Sequence, residues 1–153
     1  MKTVLVLVLA FVSPFLHAQP EVASRKRNFN TVNYVAMREF DPVSYFQGRP
    51  TKGTSQFEYN HKGIFYYFAS EANRAEFIKA PSKYEPAYGG FCAYTVASTG
   101  ERVKILPTTY KIIDGKLYLF YNFNNDNRLD KWDKGDEKKL KASADKNWVS
   151  RMH

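Results

Sequence analysis

The stretch SQFEYNHKGIFYYFASEANRAEFIKAP, from Ser55 to Pro81, holds two patterns in succession. Two aromatic-rich runs flank Asn60 to Gly63, the signature of a β-hairpin with a loop of about four residues. Ser70 then stands where an N-cap accepts a backbone N–H, and Glu71 falls in the first turn, where the helix dipole favours an acid. Good helix formers continue to Pro81, which predicts a helix of roughly eleven residues with Ala72, Ala75 and either Phe77 or Ile78 on its inner face. A hairpin feeding directly into a helix is a building unit of an α+β domain.

The same grammar continues on both sides. Downstream, YKIIDGKLYLFYN pairs two alternating runs across Asp114-Gly115, the strongest short hairpin signal in the chain, with Tyr110, Ile112, Leu117 and Leu119 at a period near two. Between the hairpins, PSKYEPAYGG is a turn-rich link. FCAYTVAST is short enough to read as a helix or a strand; Gly89 and Gly90 as a tight entry and Gly100 as a left-handed exit favour the helix. The tail RLDKWDKGDEKKLKASADKNWV is helical in composition and spaces Trp132, Leu140, Ala144 and Trp148 to face inward. Upstream, FDPVSYFQGRP turns at Asp41-Pro42 and again at Gly48 and Pro50. The expected fold is therefore α+β: a small antiparallel sheet built from hairpins, with several short helices packed against it.

The first residues, MKTVLVLVLAFVSPFLHA, place a lysine before an apolar run and end on the small residue Ala18, the pattern of a secretory signal peptide over 1–18. The apolar run is shorter than the ~20 residues a bilayer span requires. Cleavage there takes 18 of the 153 residues and leaves 135, one domain's worth, and lowers the formal charge from +8 to +7, because the leader holds one lysine and no acid. Residues 19–33, with the basic run Arg25 to Arg27, read as a flexible lead-in, and 34–150 as the domain. The expected location is periplasmic or secreted. In that setting a basic balance points to anionic surfaces such as headgroups or wall polymers, with no nucleic acid expected, and the lysines are dispersed among acids. One cysteine excludes an internal disulfide and permits a disulfide-linked dimer through Cys92. Stability then falls to the core, which twelve Phe, eleven Tyr and two Trp are suited to build.

Several pieces occur together in a recognisable order: DPVSYF at Asp41 to Phe46, YYFAS at Tyr66 to Ser70, NRAEF at Asn73 to Phe77, P..Y.P.YGGFCAY from Pro81 to Tyr94, DGKLYL.YN from Asp114 to Asn122, and ADKNW from Ala144 to Trp148. In these the chain resembles the exported, single-domain branch of the YHS domain family across nearly all of 34–150. The resemblance implies a small α+β binding or accessory module associated with metal, copper in particular, and no defined reaction. Metal-associated relatives carry a cysteine pair at the strand end and first helical turn. Here YFASEAN puts Ala69 and Asn73 at those places.

Three chemistries remain open from the residues. Soft metal ions such as copper want converging thiolate, thioether or imidazole ligands; Cys92 with His61 is the available pair, supplemented by Met37, Met152 or His153. A thiol function at Cys92, redox or nucleophilic, would draw on its place in the first turn of the predicted helix, where free N–H groups and the dipole favour a thiolate. A small-ligand site would gather Tyr45, Tyr88 and Tyr94 with Asp41, Asn122 and Cys92, aromatic walls meeting a few polar groups. No GxSxG, HExxH or phosphate-cradling glycine loop is present. An interaction module without small-molecule chemistry is the remaining reading.

Overall fold

The computed structural model describes residues 18–151. The signal-peptide reading therefore falls almost wholly outside the described residues, as do Met152 and His153. Six helices and sheets of four, two and two strands make an α+β architecture, and no helix is long and apolar enough to cross a membrane among the described residues.

The hairpin at the centre of the sequence is β3 (Thr54–His61) and β4 (Ile64–Phe68). Its turn is two residues long, not four. Lys62 and Gly63 both take positive φ, 50° and 86°, the primed geometry whose twist matches that of paired strands. Asn60 and His61 consequently stay in the ladder, opposite Phe65 and Ile64. β4 alternates strictly, burying Ile64, Tyr66 and Phe68. Its other edge pairs in parallel with β2 (Val35–Ala36), which pairs with β1 (Thr31–Val32), giving the order β1-β2-β4-β3. The one parallel pair departs from the all-antiparallel expectation. It joins β4 to β2, a strand of two residues, too short to carry a period.

Ser70 caps α2 (Glu71–Lys79), its Oγ accepting from the Asn73 backbone N–H at 3.2 Å. Phe77 is the inward residue, and Ile78 is left 44% exposed. Pro81 opens a further turn, α3 (Pro81–Tyr84), in the N1 position where its missing N–H costs nothing. α4 (Ala93–Thr99) ends, as read, on a left-handed Gly100 at φ 72°. The Asp114-Gly115 hairpin joins β5 (Tyr110–Ile113) to β6 (Lys116–Leu119). A small β7–β8 pair (Asn122–Phe123 with Asp126–Asn127) leads into α5 (Arg128–Asp133) and α6 (Glu137–Ser150), capped by Asn127 and Asp136.

Two apolar clusters fill the interior. One gathers β4 with Phe77, Tyr45, Ile105, Leu117 and Leu119; the other gathers Val96, Tyr118, Phe120, Trp132 and Ala144. The segment from Leu117 to Phe120 alternates between them, odd-numbered residues into the first and even-numbered into the second.

Residues 19–33, expected to be a flexible lead-in, are ordered: α1 (Ala18–Asn28) is followed by β1. Its polarity suits the dipole, with Glu21 early and Arg25, Lys26 and Arg27 in the last turn. The Arg25 guanidinium pairs with Glu85, whose Oε1 also accepts from the Tyr66 hydroxyl at 2.7 Å. At the helix end, Asn30 donates from its backbone to Gly89 O at 2.8 Å and from its side chain to Gly90 O at 3.0 Å.

Candidate functional site

Cys92 precedes α4 and is fully buried, at 0% exposure. Its backbone N–H donates to Val103 O, its carbonyl accepts from Val96, and it bridges β6 at Leu119. The sulfur sits in the first apolar cluster. This corrects the reading of Cys92 as an accessible thiol or a ligand at an opening: the dipole argument was sound for its place in sequence, but core packing on every side decides. A disulfide to a second copy requires the domain to open.

His61, expected in a solvated loop, closes β3. Its ring stacks on Tyr59 at 6.3 Å and meets Phe77 edge-on at 6.0 Å, and burial lowers its pKa below the ordinary histidine value. Among the described residues no group of three or more His, Cys, Asp or Glu side chains converges as a metal site would require.

Tyr45 and Tyr94 pack in or against the apolar cluster that holds Cys92, and Asp41 lies near Tyr45. Asp41 is fully enclosed. Its Oδ1 accepts from Val43 N–H at 2.8 Å; its Oδ2 accepts from Ala69 N–H at 2.9 Å and from Asn73 Nδ2 at 2.6 Å. It is a staple joining the 41–44 turn to the start of α2. Tyr45 donates to Pro107 O at 2.9 Å and packs edge-on against Tyr110; burial drives its pKa well up. Asn122 donates to the Thr109 hydroxyl at 3.2 Å. Tyr94 packs against both clusters. Asp41, Tyr45 and Asn122 each give hydrogen bonds or acceptors to the fold around them.

Tyr88 lines a cavity. It begins a left-handed turn, Tyr88, Gly89 and Gly90 at φ 52°, 59° and 80°, a conformation costly for a side chain as large as tyrosine. Gly89 is required there, since a Cβ would overlap the Asn28 carbonyl oxygen at the end of α1. Tyr88 donates to Asp145 Oδ1 at 2.9 Å, and burial together with that carboxylate raises its pKa. Between this turn and α1 lies a pocket of about 400 Å³, within the range of ~300–1,000 Å³ usual for small-ligand sites. Phe29, Pro86, Tyr88 and Trp148 form its apolar walls, and Arg25, Lys116 and Glu21 bring charge of both signs to it. Lys116 donates from Nζ to Ser82 O at 2.9 Å, and burial lowers its pKa.

Sequence reasoning missed most of this pocket because α1 had been assigned to the lead-in. The signal was available: an acid at Glu21 and three bases at Arg25 to Arg27, between one and two helical turns apart. A second concavity, at Gly100, is already satisfied from within. The Arg102 guanidinium donates to Arg27 O and Arg151 O, and Arg151 donates to Thr99 O, so the ends of α1, α4 and α6 share two cations. Compared with known proteins, the chain matches no family model, no curated protein and no solved structure.

Proposed function

We propose that this protein is an exported accessory module of YHS type that binds a small organic ligand in the pocket between α1 and the Tyr88–Gly90 turn. The pocket carries the reading: aromatic walls, two cationic side chains and a strained left-handed turn meet at one concavity of about 400 Å³. Strain of this kind persists only where the surroundings over-determine it, and it collects at ligand clamps. The α+β order of elements supports the YHS assignment, while the export half of the reading rests on the leader pattern. Cys92 is sealed, and no three His, Cys, Asp or Glu side chains converge among the described residues, which favours the small-ligand form of this function over the copper form.

The test is an amide-resolved NMR screen of a fragment library containing acids, amines and neutral compounds, run beside a copper(I) and zinc titration against a competing chelator. Shifts concentrated at Tyr88, Gly89, Lys116 and Trp148 are the expected result. Submicromolar metal binding with a silent pocket would replace this reading with the metal one.

A further inference from the structure

Building on the pocket assignment just made, we infer that its ligand is an organic monoanion, a flat apolar body carrying one carboxylate, with Lys116 reading the charge. The argument is one of charge left over. Three carboxylates lie at or close to the site: Glu21 in its lining, Glu85 beside Arg25, and Asp145, which accepts from the Tyr88 hydroxyl. Glu21 accepts from Lys62 Nζ at 2.7 Å, while Glu85 holds the Arg25 guanidinium and the Tyr66 hydroxyl. Lys116 has only a neutral carbonyl, Ser82 O, as its hydrogen-bond partner, and an ammonium carries three donors. Asp145 is exposed, where solvent screens its charge, so the charge in the pocket lining without a hydrogen-bonded carboxylate is the Lys116 ammonium.

The aromatic walls point the same way. A cage of rings can also hold a cation over its faces, but here two of the three ring walls already carry one. The Arg25 guanidinium carbon lies 4.4 Å from the Phe29 centroid, and that of Arg102 lies 5.1 Å from the Trp148 centroid. A second cation would meet two resident ones. An anion would find a half-buried ammonium, where a charge-assisted hydrogen bond is roughly twice as strong as a neutral one, and ring edges and Pro86 for its apolar part. A bare inorganic anion would leave those walls unfilled.

The experiment compares benzoate, its neutral isostere benzamide and inorganic phosphate by NMR titration of the purified protein, then repeats the comparison on Lys116→Met and Lys116→Arg. Benzoate is expected to bind about tenfold tighter than benzamide, the worth of one charge-assisted bond, and tighter than phosphate. Lys116→Met is expected to erase the preference while benzamide still binds, which reports an intact pocket, and Lys116→Arg to keep most of it. Equal affinity for benzoate and benzamide in the unaltered protein, a preference that survives in Lys116→Met, or phosphate binding as well as benzoate would each overturn the inference. If only neutral or cationic fragments bind here, the inference fails and the pocket assignment stands; if no fragment of any charge binds, the assignment itself falls.

Discussion

Replacing Asp41 with asparagine should destabilise the protein without touching any ligand site. The carboxylate serves three donors, two on Oδ2 and one on Oδ1. In the variant, the amide oxygen keeps the pair from Ala69 and Asn73, and its NH₂ group turns toward the Val43 N–H. Two bonds lose their charge assistance, about 1 kcal/mol each, since charge roughly doubles a hydrogen bond's net worth. One buried N–H is left unpaired, at about 1–3 kcal/mol. Relief from burying a full charge offsets part of this, leaving about 2–3 kcal/mol. That is a large share of the ~5–15 kcal/mol by which a domain is usually stable. Urea unfolding followed by tryptophan fluorescence reads it directly, Trp132 being fully buried. Asp41→Ala, which orphans all three donors, should cost more than Asp41→Asn. An Asp41→Asn protein within about 0.5 kcal/mol of the parent, in the range of ordinary surface changes, would refute the staple and return Asp41 to the list of binding residues.

The remaining predictions test the fold's other decisions. The Cys92 thiol should react with a soluble alkylating reagent at least about a hundredfold more slowly in the native protein than in urea, because reaction must wait for an opening event; a native rate near that of a free thiol would show that the sulfur is accessible after all. Arg25→Met should cost about 2–4 kcal/mol, since it strands the largely buried Glu85 carboxylate, whereas a flexible lead-in would register no change in the same unfolding assay. Lys62→Asn should stabilise by about 0.5–1 kcal/mol, asparagine being far better suited to the left-handed first position of a primed turn. A lower melting temperature for that variant would mean that the Lys62–Glu21 ion pair outweighs turn geometry.

What could be read from the residues was whatever was written locally. Asp114-Gly115, the Ser70 cap and the Gly100 stop each depend on a few adjacent side chains, and each was found where expected. The two-residue turn at Lys62-Gly63 was read as longer because lysine is a poor advertisement for positive φ. The parallel pairing of β2 with β4 was illegible, since two-residue strands carry no period. The site was harder still. Asp41 and Asn122 were noticed correctly as polar residues beside apolar runs, but sequence cannot say whether a polar group serves a ligand or a backbone. Lys116 and Trp148 meet Arg25 only after some ninety to a hundred and twenty residues of chain have folded, and no local pattern announces such a meeting.

The zigzag of Leu117, Tyr118, Leu119 and Phe120 makes one strand the shared wall of two interiors. Slide it by a single position and each chamber receives the other's side chains, so neither compartment can loosen or repack by itself. Calorimetry should accordingly record a single melting event, the two halves rising and falling together.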